Sequence, residues 1–272
     1  MSSTWYGDKP PAPHRLDAMG IVLIVVRGGH IIALLVVGFP LLLILRPVER
    51  AVWGLVRPIT PHITQFVCRQ ACRALGLNLE MRGAPMTGAG AYVANHVSWL
   101  DIFVLNACKR LYFVAKSDVA RWPGIGWLAR GTGTVFVERR RGAASSQTRV
   151  FEDRLRAGHR LLFFPEGTST DGLQVLPFKT TLFEAFFSDR LRDALHVQPV
   201  SLIYHAPDAQ DARFYGWWGD MELGPSILSI LSVRRQGRVE IIYHPPVAVA
   251  DFADRKALAR HAEDAVRSGL SP

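Results

Sequence analysis

The chain has 272 residues, 49% of them hydrophobic and 20% charged. That length supports a large core, as one big domain or one domain plus an appendage. The apolar fraction excludes a disordered chain, and 23 Gly with 17 Pro exclude collagen-like or low-complexity character. A mean hydropathy of +0.13 is high for a soluble enzyme and low for a multi-span transporter, which predicts a globular body with a membrane-seeking segment. Lys+Arg 32 against Asp+Glu 23 leaves +9. Such a charge asks for an anionic partner: nucleic acid, an anionic lipid surface or an acidic substrate. The excess is nearly all arginine, a bias that genome base composition also produces.

In chain order, residues 1–20 read as a loose polar start with Pro10, Pro11 and Pro13. Residues 21–45 are apolar apart from Arg27 and His30. As one helix they would run roughly 37 Å, enough to cross a bilayer. Gly28-Gly29 beside Arg27, and Gly38-Phe39-Pro40, are potential breaks. A single span and a re-entrant hairpin therefore both stay open, with a buried core helix as the third reading. No compact basic start or small-residue cleavage site marks a cleavable signal peptide. Arg46, Arg50 and Arg57 follow the run, which by the positive-inside rule puts the body in the cytoplasm. Residues 47–76, with Arg69 and Arg73 and interrupted by Pro58 and Pro61, read as one or two interfacial amphipathic helices; a helix packed on the body is the alternative. Cys68 and Cys72 stand at helical spacing. With Cys108 they make an odd set of three, which points to buried structural cysteines in a reducing compartment.

From about residue 80 short apolar runs alternate with helix-like stretches. The runs 91–95, 111–116, 134–138, 160–165, 197–204 and 239–244 predict strands. The stretches 98–108, 144–157, 178–189 and 252–267 predict helices, the last with Asp251 as N-cap. The alternation predicts an α/β fold, an αβ-sandwich with a mostly parallel or mixed sheet flanked by helices. The expected division is an N-terminal membrane anchor over 1–80 and a catalytic domain over 81–272. The aromatic segment Phe214, Tyr215, Trp217 and Trp218 reads equally as a membrane-interface or tunnel element and as core. Residues 225–233 are apolar enough to dip into a leaflet.

The chain lacks a G-x-x-x-x-G-K-[ST] loop, a G-x-G-x-x-G, a G-x-S-x-G elbow, an H-E-x-x-H and paired C-x-x-C motifs. Nucleotide-binding, α/β-hydrolase and zinc-enzyme readings therefore have no support. The basic clusters Arg139-Arg140-Arg141 and Arg234-Arg235 come without a nucleic-acid module, so nucleic acid is not an expected partner. The chemistry-bearing string is NHVSWLD at 95–101. Asp101 can accept the Nδ1–H of His96 and fix its tautomer, leaving Nε2 to take a proton from a hydroxyl. A bare H-x-x-x-x-D is weak. Here it follows a strand and is succeeded by three further blocks: GTVFVER (Gly133 to Arg139), FFPEGTST (Phe163 to Thr170) and VQPVSLIY (Val197 to Tyr204). With no nucleophile elbow, direct transfer is simpler than a covalent intermediate.

Together these blocks resemble the glycerolipid acyltransferase family, which includes the lysophosphatidic acid acyltransferases, over roughly residues 85–205. The resemblance implies transfer of a fatty acyl chain from acyl carrier protein or coenzyme A to a lysolipid hydroxyl, with no further cofactor and no metal. It implies His96 as base and Asp101 as its orienting partner. Gly133, Arg139 and Lys179 are implied on the acceptor's polar head. Glu166, Gly167 and Thr168 fall in the acceptor and oxyanion block, with the Gly167 N–H as oxyanion donor, and Pro199 lies on the acyl-donor side. It also implies a bacterial inner-membrane enzyme whose catalytic domain faces the cytoplasm, against the leaflet. One departure is informative. Phosphate-accepting members usually carry Arg after E-G-T or E-G-S, and here Ser169 stands in that place. An Arg makes charge-assisted bonds to phosphate and a Ser does not. The longer string through RFYGWWGDMEL (213–223) resembles the lyso-ornithine lipid acyltransferase branch, whose acceptor carries no phosphate. A lysophosphatidate acceptor bound by Arg139, Arg140, Arg141 and Lys179 is the alternative; a non-catalytic membrane-binding protein and a lipid hydrolase are more remote. His96→Ala and Asp101→Ala are expected to lower turnover without unfolding the chain.

Overall fold

In the computed structural model, which describes residues 4–88, 90–137 and 144–270, the apolar run folds as one continuous helix, α1 (Ala18–Trp53). Asp17 caps it, accepting from Gly20 N at 2.6 Å. Neither candidate break interrupts it. Pro40 and Pro47 lie inside the helix, each forfeiting one backbone bond that the remaining turns of a 36-residue helix outweigh. Arg27 is satisfied at the far end of another helix, donating to Leu231 O at 2.9 Å and Val233 O at 2.6 Å. The hairpin and core-helix readings both fail on this geometry. The helix has a mean hydropathy of 2.5 over its most apolar window, of which only 11% is buried, and Val25, Val36, Val37 and Ile44 are each more than 60% exposed.

The predicted interfacial stretch divides. Its first part is the end of α1; its second is α2 (Thr60–Leu75). Glu49, buried at the bend, accepts from Ile59 N, Thr60 N and Thr60 Oγ1 at 2.6, 2.9 and 2.5 Å, so it caps α2 from the preceding helix. Cys68, Ala71, Cys72 and Leu75 form the buried stripe of α2 at the i, i+3, i+4, i+7 spacing of an amphipathic helix.

The body is a mixed sheet. Along the chain come β1 (Asn78–Arg82), β2 (Gly90–Ala94), α3 (Asp101–Cys108), β3 (Tyr112–Lys116), α4 (Ile125–Thr132), β4 (Val135–Val137), α5 (Ala144–Arg156) and β5 (Arg160–Phe163). Then follow β6 (His196–His205), α6 (Leu223–Ser232), β7 (Arg238–Tyr243), β8 (Val247–Ala248) and α7 (Arg255–Leu270). The spatial order is β1-β7-β6-β2-β5-β3-β4, with β8 also on β6. All neighbours are parallel except β6 with β7 and β8. Both faces are covered, which is why the strands read as near-continuous apolar runs. Successive residues of β5 serve opposite faces: Leu162 joins a core with Cys72, Leu105 and Phe113, while Leu161 and Phe163 join one with Phe151, Phe183 and Leu258.

All six predicted strands are present. β1 and β8, like α4 and α6, lie where no strand or helix was expected. Two helix expectations need correction. Over 180–187 the chain forms 3₁₀ turns, which bring Phe183 and Phe186, three apart, onto one buried side. The cap of α7 is Asp254, whose Oδ1 accepts from Lys256 N and Ala257 N, both at 2.8 Å, while Asp251 lies in a short 3₁₀ turn before it. The aromatic segment is partly core, with Tyr215 and Trp218 almost wholly buried. The apolar stretch at 225–233 forms most of α6, packed on α1.

The connection from β2 passes through α3 to β3 on one side of β2, whereas that from β5 crosses to β6 on the other. The carboxyl ends of β2 and β5, adjacent in the sheet, therefore border a crevice at the topological switch point, where open α/β sheets place their ligands.

Candidate active site

β2 ends at Ala94, and the next side chain secures that end. Asn95 donates to Leu202 O at 2.9 Å and accepts from Leu202 N at 2.8 Å, fastening the strand to β6. The chain then turns, with Asp101 N on Ser98 O at 3.1 Å, and α3 begins at Asp101. Its fully buried carboxylate gathers the turn. Oδ2 meets His96 Nδ1 at 2.7 Å and accepts from Val97 N at 2.8 Å and Ser98 N at 3.1 Å. Oδ1 accepts from the Tyr204 hydroxyl at 2.7 Å. Two backbone N–H groups and a hydroxyl donate to this carboxylate, so the matching tautomer of His96 carries its proton on Nδ1 and presents Nε2 as acceptor.

The imidazole is 22% exposed and lies flat on Phe164, centroids 4.1 Å apart; Phe164 stacks in turn on Phe113 at 5.9 Å. The third block also holds the His96 backbone. Glu166 Oε1 accepts its N–H at 2.8 Å, and its carbonyl accepts from Thr170 N at 2.9 Å. These contacts hold His96 in ring plane and backbone.

The other expected site residues are placed as follows. Glu166 is buried, and its second oxygen accepts from Leu176 N at 3.0 Å; both oxygens brace loops instead of facing an acceptor. Burial pushes its pKa up to about 8 against the pull of those two N–H groups. Gly167 has φ +70°, and its N–H closes a turn on Phe164 O at 3.0 Å, so the expected oxyanion donor is engaged. A Cβ at Gly167 would collide with Lys179 Nζ, which brings that ammonium to the same turn. Thr168 Oγ1 accepts from Trp5 N at 3.3 Å, where the N-terminal segment crosses the block, and Ser169 is buried. Pro199 stands inside β6 opposite Val93, its carbonyl accepting from His244 N at 3.0 Å. Gly133 terminates α4 with φ +89° and packs against Arg46, Arg57 and Tyr112 instead of the His96 turn. Arg139, Arg140 and Arg141 lie outside the described residues.

Sequence reasoning did not single out Tyr204, Asn95 or Phe164. Tyr204 closes the fourth block, and a tyrosine ending a strand beside the His–Asp turn was the available signal. Burial, with the Asp101 charge adding, pushes its phenol well above the usual range, so it remains a donor.

Beside the dyad a cavity of about 410 Å³ opens between the sheet and helices α1, α2, α4 and α6, within the usual size of ligand pockets, ~300–1,000 Å³. Its wall is almost entirely apolar: Leu35 and Phe39 of α1, Val67 and Ala71 of α2, Trp99, Leu100 and Phe103 after the His96 turn, and Ile227 of α6. Phe113 lines it too, so two stacked rings separate it from the imidazole.

An acyltransferase family model matches residues 79–203. The chain is 53% identical, over 98% of its length and 96% of the relative's, to a lyso-ornithine lipid O-acyltransferase of Rhodobacter capsulatus. This chain belongs to the acyltransferase family. The acyltransferase is also 40% identical to a lyso-ornithine lipid O-acyltransferase of Brucella abortus, covering 77% of this chain and 82% of that one. With a 1-acyl-sn-glycerol-3-phosphate acyltransferase of Neisseria gonorrhoeae it shares 31% identity over 73% and 76% of the two chains. Its fold is that of the crystal structure of the 1-acyl-sn-glycerophosphate acyltransferase PlsC from Thermotoga maritima, with a TM-score of 0.64 over 93% of each chain at 20% identity. Among the described residues no group of His, Cys, Asp and Glu could hold a metal ion.

Proposed function

We propose that this acyltransferase esterifies the free hydroxyl of a lyso-ornithine lipid with a fatty acyl chain taken from acyl carrier protein or coenzyme A. The observation that carries the acceptor is the near-full-length likeness to the Rhodobacter protein, joined to Ser169 in place of the Arg usual in phosphate-accepting members. The acceptor hydroxyl gives its proton to His96 Nε2 as its oxygen attacks the thioester carbonyl. The carbonyl becomes a tetrahedral oxyanion, the C–S bond breaks, and the imidazolium returns the proton to the departing thiolate. Asp101 stabilises the imidazolium without taking its proton. The Lys179 ammonium supplies positive charge at the Gly167 turn, whose own N–H would have to leave Phe164 O to serve the oxyanion. The apolar cavity takes an acyl chain and excludes water, which favours transfer over hydrolysis. α1 anchors the enzyme in the bacterial inner membrane, with Arg46, Arg50 and Arg57 on the cytoplasmic side beside the body.

The test offers the purified enzyme acyl-acyl carrier protein with lyso-ornithine lipid and lysophosphatidate in competition, with products identified by mass spectrometry. Ornithine lipid is the expected product. Phosphatidic acid as the dominant product would overturn the acceptor while leaving the chemistry standing. Free fatty acid without either ester would overturn transfer itself.

A further inference from the structure

Three arginines from distant parts of the chain converge on Tyr112, on the side of β3 away from the dyad. Arg154 of α5 and Arg57 of the α1–α2 bend sit over the Tyr112 ring, at 4.5 and 5.3 Å from its centroid. Gly133 packs beside them, and a Cβ there would collide with Arg57 Nη1 and reach Arg46 Nη1 at 2.9 Å. His159, 4% exposed, lies tilted against the Tyr112 ring, centroids 4.4 Å apart. Tyr112 and Phe113 are successive strand residues and point to opposite faces. Phe113 leads through Phe164 to His96, so the cluster is a separate place from the catalytic turn.

The cluster is under-satisfied. Arg46 Nε and Arg154 Nε are buried without a hydrogen-bond partner among the described residues, while Arg57 leans on the Tyr112 hydroxyl and His159 on the Leu55 backbone, neither in good hydrogen-bond geometry. Arg154 itself is only 9% exposed; one of its nitrogens holds Gly133 O at 2.8 Å. The neighbouring acid, Glu49, is committed to the N-terminus of α2. Burial and the mutual repulsion of the arginines push Arg154 down to about 10 and hold His159 neutral, near 3. Glu49 offsets the charge of Arg46 alone; three crowded cations with one acid between them are costly, and aromatic faces offset only part of that. Forked N–H donors from three directions match a tetrahedral oxyanion. The apolar cavity runs up to this place: Leu42, one turn before Arg46, and Thr132 and Thr134, which flank Gly133, all line its wall or its edge.

We propose that Arg46, Arg57 and Arg154 form a binding site for a phosphate oxyanion, distinct from the acceptor site, that ties α1 and the bend after it to the catalytic body. The bound group is either the phosphate of a membrane lipid or phosphate from solution.

The test measures the melting temperature of the full chain in neutral detergent at constant ionic strength. One arm titrates inorganic phosphate; the other adds phosphatidylglycerol against galactosyl diacylglycerol, which carries no phosphate. Wild type should gain at least about 3 °C once a ligand exceeds its Kd tenfold. The gain should vanish in Arg57→Gln and Arg46→Gln, whose ligand-free melting temperatures match or exceed wild type because an uncompensated charge has gone. A rise with phosphatidylglycerol alone identifies a lipid headgroup, and a rise with both or with phosphate alone identifies the phosphate group as sufficient. No rise with either ligand, or an equal rise in the variants, would overturn the site. A drop in ligand-free melting temperature in both variants, with no ligand response in wild type, would overturn the site and reduce the arginines to structural supports.

Discussion

At the scale of single residues, the dyad is built so that one carboxylate does two jobs. His96→Ala removes only the proposed base, from a ring that is partly exposed, and should lower kcat/KM by roughly two to four orders of magnitude while leaving the melting curve unchanged; a fully active variant would remove His96 from the mechanism. Asp101→Ala is different, and the expectation that it too leaves folding intact does not survive the geometry. It strands the N–H groups of Val97 and Ser98 and the Tyr204 hydroxyl, each buried orphan costing about 1–3 kcal/mol, so activity and melting temperature should fall together. Tyr204 is a positioning residue. Without its hydroxyl one carboxylate oxygen of Asp101 loses its donor, so Tyr204→Phe should lower kcat roughly tenfold, the equivalent of one hydrogen bond, with KM unchanged; an unchanged kcat would make Tyr204 a packing residue only. Glu166 binds an extra proton in the folded state between its unfolded value of 4.5 and about 8, so stability is lost as pH rises through that window. The melting temperature of wild type should fall relative to that of Glu166→Gln between pH 5 and pH 8. Parallel curves would show that the two N–H donors keep the carboxylate ionised in the folded protein.

At the scale of elements, the cavity is a joint product of helices that the sequence treats as separate features. α1 supplies one wall, α2 another, and α6 closes it through Arg27, whose guanidinium takes the last carbonyls of that helix. Trp99 reinforces this edge, donating to Ser226 Oγ at 3.1 Å. Filling the α1 wall should therefore change substrate length before it changes chemistry. Leu35→Trp is expected to shift donor preference toward shorter acyl chains with kcat for the short donor preserved, as read by competition between acyl donors of different length. Unchanged preference would place the acyl chain elsewhere. Four strands of the catalytic half were legible in particular ways: β2 and β5 as short apolar runs ending at the His96 and Glu166 blocks, β6 as the fourth block, β3 as a run between two helices. β1 was not, since NLEMR is half polar and lies on the sheet edge, where one side needs no apolar cover. α4 and α6 were hidden by glycine, proline and serine, and tertiary packing on α1 overrides those weak propensities.

For the whole molecule, the +9 charge and the exposed apolar surface of α1 make separate contributions to the proposed membrane attachment. Charge alone would give an attachment that salt screens within a Debye length of about 8–10 Å. α1 gives one that salt does not reach. The full chain should therefore stay in the membrane pellet after a high-salt wash and be released by detergent; release by salt alone would show that charge, not the apolar face of α1, holds it there.

By itself the sequence determined six of the eight strands of the sheet, because runs buried on both faces must be apolar throughout, and it marked the candidate site, because His96, Asp101 and the three following blocks succeed one another along the chain. It also marked Ser169 as the departure that bears on the acceptor. What only the tertiary structure decided depends on residues far apart in sequence. The continuity of α1 rests on Arg27 finding carbonyls some two hundred residues away. The rigidity of the dyad rests on Tyr204, Phe164 and Glu166 arriving from other strands and loops. The arginine cluster exists because α1, the bend after it and α5 meet at one tyrosine. Local pattern records how a residue treats its neighbours in the chain. Which distant group satisfies a buried charge is fixed by packing.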